Sequence, residues 1–236
     1  MNVFWEKIIY PILLSENSKR MVEVGCEYGI NTVNLLSYAY RFSGHVTVID
    51  PFLSDNVRML MTQAGSFMDF IPITSLEALP QLTDYDVIFL DGDHNWYTIY
   101  HELKIIEAKA VRTGKFPLVL MHDVCWPYAR RDMYYNPETI PPEYLLPYAK
   151  KGILHGVSEL ASVGGANAEL NNAIYENGVR NGVLTGVEDF MKQTTLSLTF
   201  HLFPRQYGLG IIGLQDRRRD ALIQQLMHIC GEIPAS

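Results

Sequence analysis

The chain has 236 residues, of which 48% are apolar and 11% aromatic, enough to bury the core of a single α/β domain over residues 1–236. Its formal net charge of −7 offers no basic surface from which a nucleic acid could release counterions, so a nucleic-acid partner is disfavoured and small substrates are favoured. Three widely spaced cysteines without a C-x-x-C pair indicate reduced thiols, as in a cytoplasmic protein. The partly apolar start, residues 1–14, matches neither a signal peptide nor a membrane span.

Apolar runs rich in Val, Ile and Leu alternate with helix-patterned stretches, which is typical of βαβ units around a parallel sheet. After a short N-terminal docking helix, the pattern predicts strands at 21–24, 46–49, 70–73, 86–90 and 118–121. Between them it predicts helices at 31–40, 56–64, 75–79 and 96–111. A helix at 183–192, strands at 196–202 and 208–214 and a helix at 217–229 follow. We therefore expect an α/β fold with a seven-stranded, mostly parallel sheet and helices on both faces.

Residues 124–180 interrupt this alternation, and the stretch is too long for an ordinary connection. Its tyrosines argue against disorder, because disordered segments are usually poor in aromatic residues. We interpret it as an insertion that forms a lid or a substrate-recognition segment. Arg130 and Arg131 suit a grip on a polar or anionic acceptor. A solvated loop or a contact between subunits of a homo-oligomer is the alternative.

The first predicted strand ends in a turn that suits a nucleotide-like cofactor. Glu23 lies two places before Gly25, and Gly29 follows where a helix begins, so a ligand can approach bare backbone around Cys26. A dinucleotide-binding turn requires a second glycine where this chain has Glu27, which argues against a nicotinamide cofactor. The spacing E-x-G-x-x-x-G resembles the first motif of class I S-adenosylmethionine-dependent methyltransferases. A tight βα turn without a ligand is the alternative.

Two further positions are candidates for contacts with such a cofactor. Asp50 follows the second strand, where an acid accepts both hydroxyl groups of a ribose; its alternative role is to cap the turn before Pro51. Ser75, with Thr74, follows the third strand and lies where an adenine is contacted. Ser75 is equally suited to be an ordinary helix N-cap.

Ionisable residues follow the fourth and fifth strands. Asp91, Asp93 and His94 come after the fourth, and His122 and Asp123 end the fifth. Asp91 is also a candidate for contact with the cofactor. Because these strands are neighbours in the expected topology, Asp91, His122 and Asp123 should meet and could hold Mg²⁺ or another divalent cation. With a metal, His94 or Asp93 would accept the substrate proton; without one, His94 or His122 would be the general base.

The resemblance extends beyond the first turn. The segments at 91–94 (DGDH), 122–128 (HDVCWPY) and 180–185 (RNGVLT) are similar to bacterial small-molecule methyltransferases of methyltransferase family 24, and the likeness covers nearly the whole chain. It implies a Rossmann-like class I methyltransferase fold, S-adenosylmethionine as donor, and a hydroxyl acceptor on a sugar or secondary metabolite. Related macrolide-sugar O-methyltransferases carry a magnesium site that falls here on Asp91, His122 and Asp123. Those relatives usually have two acidic residues where this chain has His122 and Asp123.

Two other functions are compatible with the same scaffold. One is a catalytically inactive cofactor-binding or assembly protein of a glycan or natural-product pathway. The retained carboxylates Asp50, Asp91 and Asp123 argue against such a loss of activity. The other is a nicotinamide-dependent oxidoreductase, against which Glu27 counts.

Overall fold

The structure, a computed structural model, describes residues 1–230. Its strands are β1 (Arg20–Val24), β2 (His45–Ile49), β3 (Met68–Ile71), β4 (Val87–Leu90), β5 (Leu118–His122), β6 (Met133–Tyr134), β7 (Tyr148–Lys150), β8 (Asn171–Ala173), β9 (Leu198–Phe203) and β10 (Leu209–Leu214). Seven of them form the main sheet, in the order β3-β2-β1-β4-β5-β10-β9. The first five run parallel, whereas β10 is antiparallel to both β5 and β9. The predicted seven-stranded, mostly parallel sheet is confirmed.

Helices cover both faces of this sheet: α1 (Tyr10–Glu16), α2 (Ile30–Phe42), α3 (Asp55–Ala64), α4 (Ser75–Ala78), α5 (Trp96–Thr113), α6 (Val183–Gln193) and α7 (Arg217–Ile229). Because both faces are covered, the central strand β4 is buried at every residue, as expected for a parallel strand. The N-terminal segment continues into α1 through two short helical turns, and its apolar residues Phe4, Trp5, Ile8, Ile9 and Ile12 are buried. The predicted docking helix is thus confirmed.

Two predicted strands differ from the observed ones by two residues at one end or at both ends. The third was expected at 70–73 and lies at Met68–Ile71, because Ile73 already turns back to donate to the carbonyl of Ile71. The next helix then begins immediately, with Thr74 as N-cap in a capping box with Glu77. The strand expected at 196–202 is β9, Leu198–Phe203. No helix in the described part of the chain has the length and apolar character needed to cross a membrane.

Within the insertion, a small antiparallel sheet of order β6-β8-β7 is anchored to the main domain by a buried carboxylate. Asp132 accepts hydrogen bonds from the backbone N–H groups of Trp96 (2.7 Å) and Gly182 (2.6 Å) and from the hydroxyl of Tyr134 (2.9 Å). Trp96 begins α5 and Gly182 is the N-cap of α6. The base of the insertion is therefore part of the core and fixes the starts of two helices.

Candidate functional site

Two adjoining cavities open at the carboxyl ends of the parallel strands, where open α/β sheets bind ligands. The first has a volume of about 720 Å³ and the second about 540 Å³. Four residues line both cavities, namely Gly25, Glu27, Asp91 and Tyr135. A ligand in one cavity would therefore lie directly beside a ligand in the other.

The turn after β1 is held by close contact between backbones. Gly25 has a φ of 77°, and a Cβ placed there would lie 2.3 Å from the carbonyl oxygen of Asp91. The glycine is thus required by the approach of the β4 loop. It also lines both cavities, so the approach of a cofactor to its backbone stays a prediction. Gly29 lines neither cavity; it is the N-cap of α2, with a φ of 82°.

Asp50 lines the first cavity, as expected for a cofactor contact, but its carboxylate also stabilises the turn. Oδ2 accepts from the backbone N–H groups of Cys26 (2.9 Å) and Glu27 (3.3 Å), and Oδ1 accepts from that of Phe52 (2.8 Å). Asp50 therefore has both of the roles considered from the sequence, because it lines the cavity and also caps the turn.

Ser75 lines the first cavity and is buried. It is not the helix cap, because that position is taken by Thr74. Behind it, a hydrogen bond joins its hydroxyl group to the carboxyl group of Glu102, whose pKa is raised to about 8 by burial. The sequence did not single out Glu102, since a lone Glu within a helical pattern predicts a solvated position.

Asp93, expected as a proton acceptor, lies on the wall of the first cavity and does not line the second. Its Oδ2 accepts from the side chains of Asn95 (2.7 Å) and Thr98 (2.9 Å) at the start of α5. Burial raises the pKa of this carboxyl group. Asp93 therefore faces the first cavity, whereas its neighbour His94 lines the second, and this position favours His94 over Asp93 as the proton acceptor.

The second cavity contains the predicted cluster, which the pairing of β4 with β5 brings together. Nδ1 of His122 lies 3.2 Å from Oδ1 of Asp91 and 3.0 Å from Oδ2 of Asp123. Nδ1 of His94 lies 3.5 Å from the same Oδ2 of Asp123. The ring of His94 stacks on that of Tyr128, with centroids 5.5 Å apart and 5° between the planes.

The charges in this cluster favour a protonated His122. Burial lowers its pKa, but hydrogen bonds to Asp123 and Asp91 and the charges of both carboxylates raise it to about 9. Its other ring nitrogen, Nε2, lies 3.2 Å from the carbonyl oxygen of Gln206. With both ring nitrogens facing acceptors, His122 is an imidazolium near neutral pH and is poorly suited to act as the base. His94 is the better candidate of the two.

The donor set fits a divalent cation. Asp91, His122 and Asp123 each offer a ligand atom, and these atoms all lie within 4.8 Å of one another. Carboxylate oxygens with one imidazole nitrogen suit several divalent ions, provided that His122 gives up its proton, because a metal-bound imidazole must be neutral at the ligating nitrogen. The amino group of Met1 lies 3.2 Å from Oδ2 of Asp91.

Two residues expected to contact the cofactor line the second cavity instead of the first. Glu23 is buried and accepts hydrogen bonds from Asn31 (2.8 Å) and Thr32 (2.6 Å) of α2. Burial raises its pKa to about 7. Cys26 is also buried, and burial raises the pKa of its thiol. Both therefore lie on the side of the turn that faces the histidines.

The paired arginines of the insertion do not line either cavity, so the expectation that they grip an acceptor is wrong in this structure. Arg130 forms a bidentate pair with Glu188, both contacts at 2.7 Å. Arg131 is fully buried and donates to the backbone carbonyl groups of Ala173 and Ser158. Each guanidinium group holds the insertion against itself or against α6.

Several residues that line the cavities were not among the predicted site residues. The insertion contributes Tyr135, Asn136, Thr139 and Ile140 to the first cavity. Tyr207, in the turn between β9 and β10, lines the second cavity together with Tyr128 and Asn167. The strands predicted at 196–202 and 208–214 place a turn between them. Its position followed only from the antiparallel register that places Leu209 opposite His122.

Comparisons with known proteins agree with this geometry. A family model described as a methyltransferase domain, methyltransferase family 24, matches residues 22–124. No curated protein matches the chain. Among solved structures, the S-adenosylhomocysteine-bound methyltransferase PaMTH1 of Podospora anserina is 15% identical over 88% of this chain and 77% of its own, with a TM-score of 0.53.

A second structure, from Staphylococcus aureus, is provisionally assigned as a caffeoyl-CoA O-methyltransferase. It is 17% identical over 86% of this chain and 79% of its own, with a TM-score of 0.50. At such identities the structural likeness establishes the fold alone. The match to the family model is a similarity of sequence over residues 22–124. Residues 22–124 therefore match the model of a methyltransferase domain, and the chain has the fold of the methyltransferases with solved structures, in agreement with the resemblance seen in the sequence.

Proposed function

We propose that the protein transfers the sulfonium methyl group of S-adenosylmethionine to a hydroxyl group of a small molecule, on a sugar or secondary metabolite. The observation that carries the proposal is the junction of the two cavities at Gly25, Glu27, Asp91 and Tyr135. A donor in the first cavity and an acceptor in the second would meet at this junction. Such proximity is the main contribution of a protein to in-line displacement at carbon.

The first cavity supports binding of the donor. Asp50 lines it at the position suited to ribose hydroxyl groups, and Ser75 lies beyond the next strand. Apolar walls from Ile49, Phe52 and Ile140 suit the flat face of an adenine. Its volume of about 720 Å³ lies within the range of cavities that hold ligands of this size.

The second cavity supports activation of the acceptor. Without a metal, two carboxylates hold His122 as a cation, and with one His122 would be a neutral ligand. In both cases we assign His94 as proton acceptor, with Asp123 3.5 Å from its Nδ1 to stabilise the charge that it gains. A divalent ion held by Asp91, His122 and Asp123 would supply polarisation of the acceptor hydroxyl group, and thereby lower its pKa. The methyl-bearing sulfur becomes a neutral thioether as the carbon–oxygen bond forms.

The experiment has two stages. Isothermal titration with S-adenosylhomocysteine and, separately, with NAD shows which cofactor binds. Transfer of a labelled methyl group from S-adenosylmethionine to a library of hydroxyl compounds, with and without EDTA, then shows the reaction and its dependence on metal.

We expect binding of S-adenosylhomocysteine, no binding of NAD, and transfer to at least one hydroxyl compound. Binding of NAD alone would favour an oxidoreductase. Binding of S-adenosylhomocysteine without transfer to any acceptor would favour an inactive cofactor-binding protein.

A further inference from the structure

The walls of both cavities are strongly acidic. Within residues 1–230, no Lys or Arg lines either cavity, whereas the second is lined by Glu27, Asp91 and Asp123. Carboxylates at a binding site repel an anionic ligand and attract a cationic one, more strongly where water is excluded. The charge of the acceptor is therefore constrained by the cavity itself.

The histidines and the amino group near the second cavity already have acidic partners. His122 contacts Asp91 and Asp123, and His94 contacts Asp123. The Met1 amino group is paired with Asp91 at 3.2 Å. A phosphate or carboxylate on the acceptor would thus have to displace an existing ion pair, which costs the energy of that pair.

Glu27 differs from the other acids of the cavity because its carboxylate is unpaired. Its backbone N–H donates to Asp50, but its side chain has no hydrogen-bond or ion-pair partner anywhere in the described chain. It is exposed, and it lines both cavities at their junction. A charge at this point is available to a ligand and is not needed to hold a neighbouring side chain.

Exposed aromatic side chains line the same cavity as Glu27. Tyr28, Tyr135 and Tyr207 line the second cavity and are 58%, 53% and 53% exposed. Exposed tyrosine rings at a ligand site attract a cation through the negative face of the ring. An ammonium group would therefore find both an unpaired carboxylate and aromatic faces at the mouth of the second cavity.

We propose that the acceptor is a hydroxyl compound that carries an ammonium group, such as an amino sugar or an amino alcohol, and that Glu27 is the residue that selects it. The inference rests on the proposed function. The hydroxyl oxygen receives the methyl group and loses its proton, while the sulfur–carbon bond of the donor breaks. The ammonium group has no free lone pair, so it is bound but not methylated.

The test uses two sets of acceptors that share a hydroxyl skeleton and differ in charge. One set is glucosamine, glucose and glucuronate; the other is dopamine, 4-ethylcatechol and 3,4-dihydroxyphenylacetate. Transfer of labelled methyl from S-adenosylmethionine is measured for the wild type, for Glu27→Gln and for Glu138→Gln. Glu138 is an exposed acid of the insertion that lines neither cavity, so its variant controls for the loss of one surface charge.

In a set that is accepted, kcat/KM for the amine should exceed that for the acid by about tenfold or more, as expected for one charge pair near a protein surface. Glu27→Gln should reduce this ratio toward one, and Glu138→Gln should leave it unchanged. Equal or better transfer to the acid by the wild type, or an unchanged ratio in Glu27→Gln, would overturn the inference and leave the proposed function standing. Failure to bind S-adenosylhomocysteine, or to methylate any member of either set or of the wider library, would count against the proposed function and the inference together.

Discussion

Asp123 adopts a left-handed backbone conformation, with a φ of 58°, that residues other than glycine seldom adopt. Its carboxylate contacts both His122, the last residue of β5, and His94, in the loop after β4. Although burial raises the pKa of Asp123, the positive histidines outweigh that effect and lower it. One residue in an uncommon conformation thus joins the loop after β4 to the end of β5.

We expect Asp91→Asn and Asp123→Asn each to lower turnover by about 100-fold or more, while the affinity for S-adenosylhomocysteine changes within a few fold. The reason is that both carboxylates belong to the cluster in the second cavity, where we propose that the acceptor binds. Steady-state kinetics together with titration of S-adenosylhomocysteine checks the split. Two variants with normal turnover would remove the cluster from the reaction, and activity that survives exhaustive chelation would exclude the metal.

Asp50→Ala should weaken binding of S-adenosylhomocysteine by about 1–3 kcal/mol, because an acceptor for ribose hydroxyl groups is lost. The same change leaves three backbone N–H groups without their acceptor, so a decrease in thermal stability should accompany it. Calorimetric titration and a melting curve report the two effects separately. Asp50→Asn, which keeps one acceptor oxygen, is the matched comparison. An unchanged dissociation constant in the alanine variant would remove Asp50 from the cofactor site.

At the scale of elements, the insertion is more firmly anchored than a mobile lid. Asp132 joins β6 to the starts of α5 and α6, and Asn181 accepts from the backbone N–H of Asp132 at 2.6 Å. Arg131 is fully buried at the same base. If the insertion closes over a ligand, residues 135–140, four of which line the first cavity, are the part that would move. The lid interpretation stays a prediction for that part.

We expect Asp132→Ala to lower the free energy of unfolding by about 2–4 kcal/mol, since two helix starts and a tyrosine hydroxyl lose a buried acceptor. Chemical denaturation measures the loss. Asp132→Asn, which retains one carbonyl oxygen, should lose less. A loss below about 0.5 kcal/mol in the alanine variant, the level typical of a surface substitution, would show that the insertion is held by other contacts.

For the whole molecule, buried carboxyl groups predict how stability depends on pH. Glu102 and Glu23 have pKa values raised by burial from 4.5 to about 8 and about 7. An unfolded glutamate loses its proton near pH 4.5, whereas the folded protein retains both protons to higher pH. Their contribution to stability is therefore complete below pH 4.5 and is lost as the pH rises to about 8.

Glu102→Gln should reduce the decline in the free energy of unfolding between pH 4.5 and 8, because one retained proton is removed from the balance. Urea denaturation at a series of pH values measures the slope of the wild type and of the variant, and their difference isolates Glu102. Glu23→Gln should flatten the curve only up to about pH 7. Identical slopes in the wild type and both variants would mean that neither carboxyl group retains its proton on folding.

Part of this organisation was predictable from the sequence because it depends on local pattern and on general rules of sheet topology. The strand-end residues Asp91, His122 and Asp123 were expected to meet because β4 and β5 are neighbours, and they do. The close approach of the β4 loop to Gly25 was not predictable, since only the folded chain brings these two backbones together. The sequence did not predict that Arg131 is buried, because a charged residue seldom occupies a fully buried position.

The two cavities draw on different parts of the chain. Apart from the short stretch 135–140, the first cavity is built within residues 24–98, inside the matched segment 22–124. The second also uses Tyr128, Asn167, Leu170 and Tyr207, which lie beyond that segment. Donor and acceptor preferences should consequently be separable in chimaeras. A graft that exchanges residues 128–134 and 141–182 would retain Asp132 with its partners Asn181 and Gly182. It would leave residues 135–140 of the donor cavity unchanged, and we expect it to redirect the acceptor while donor binding is retained.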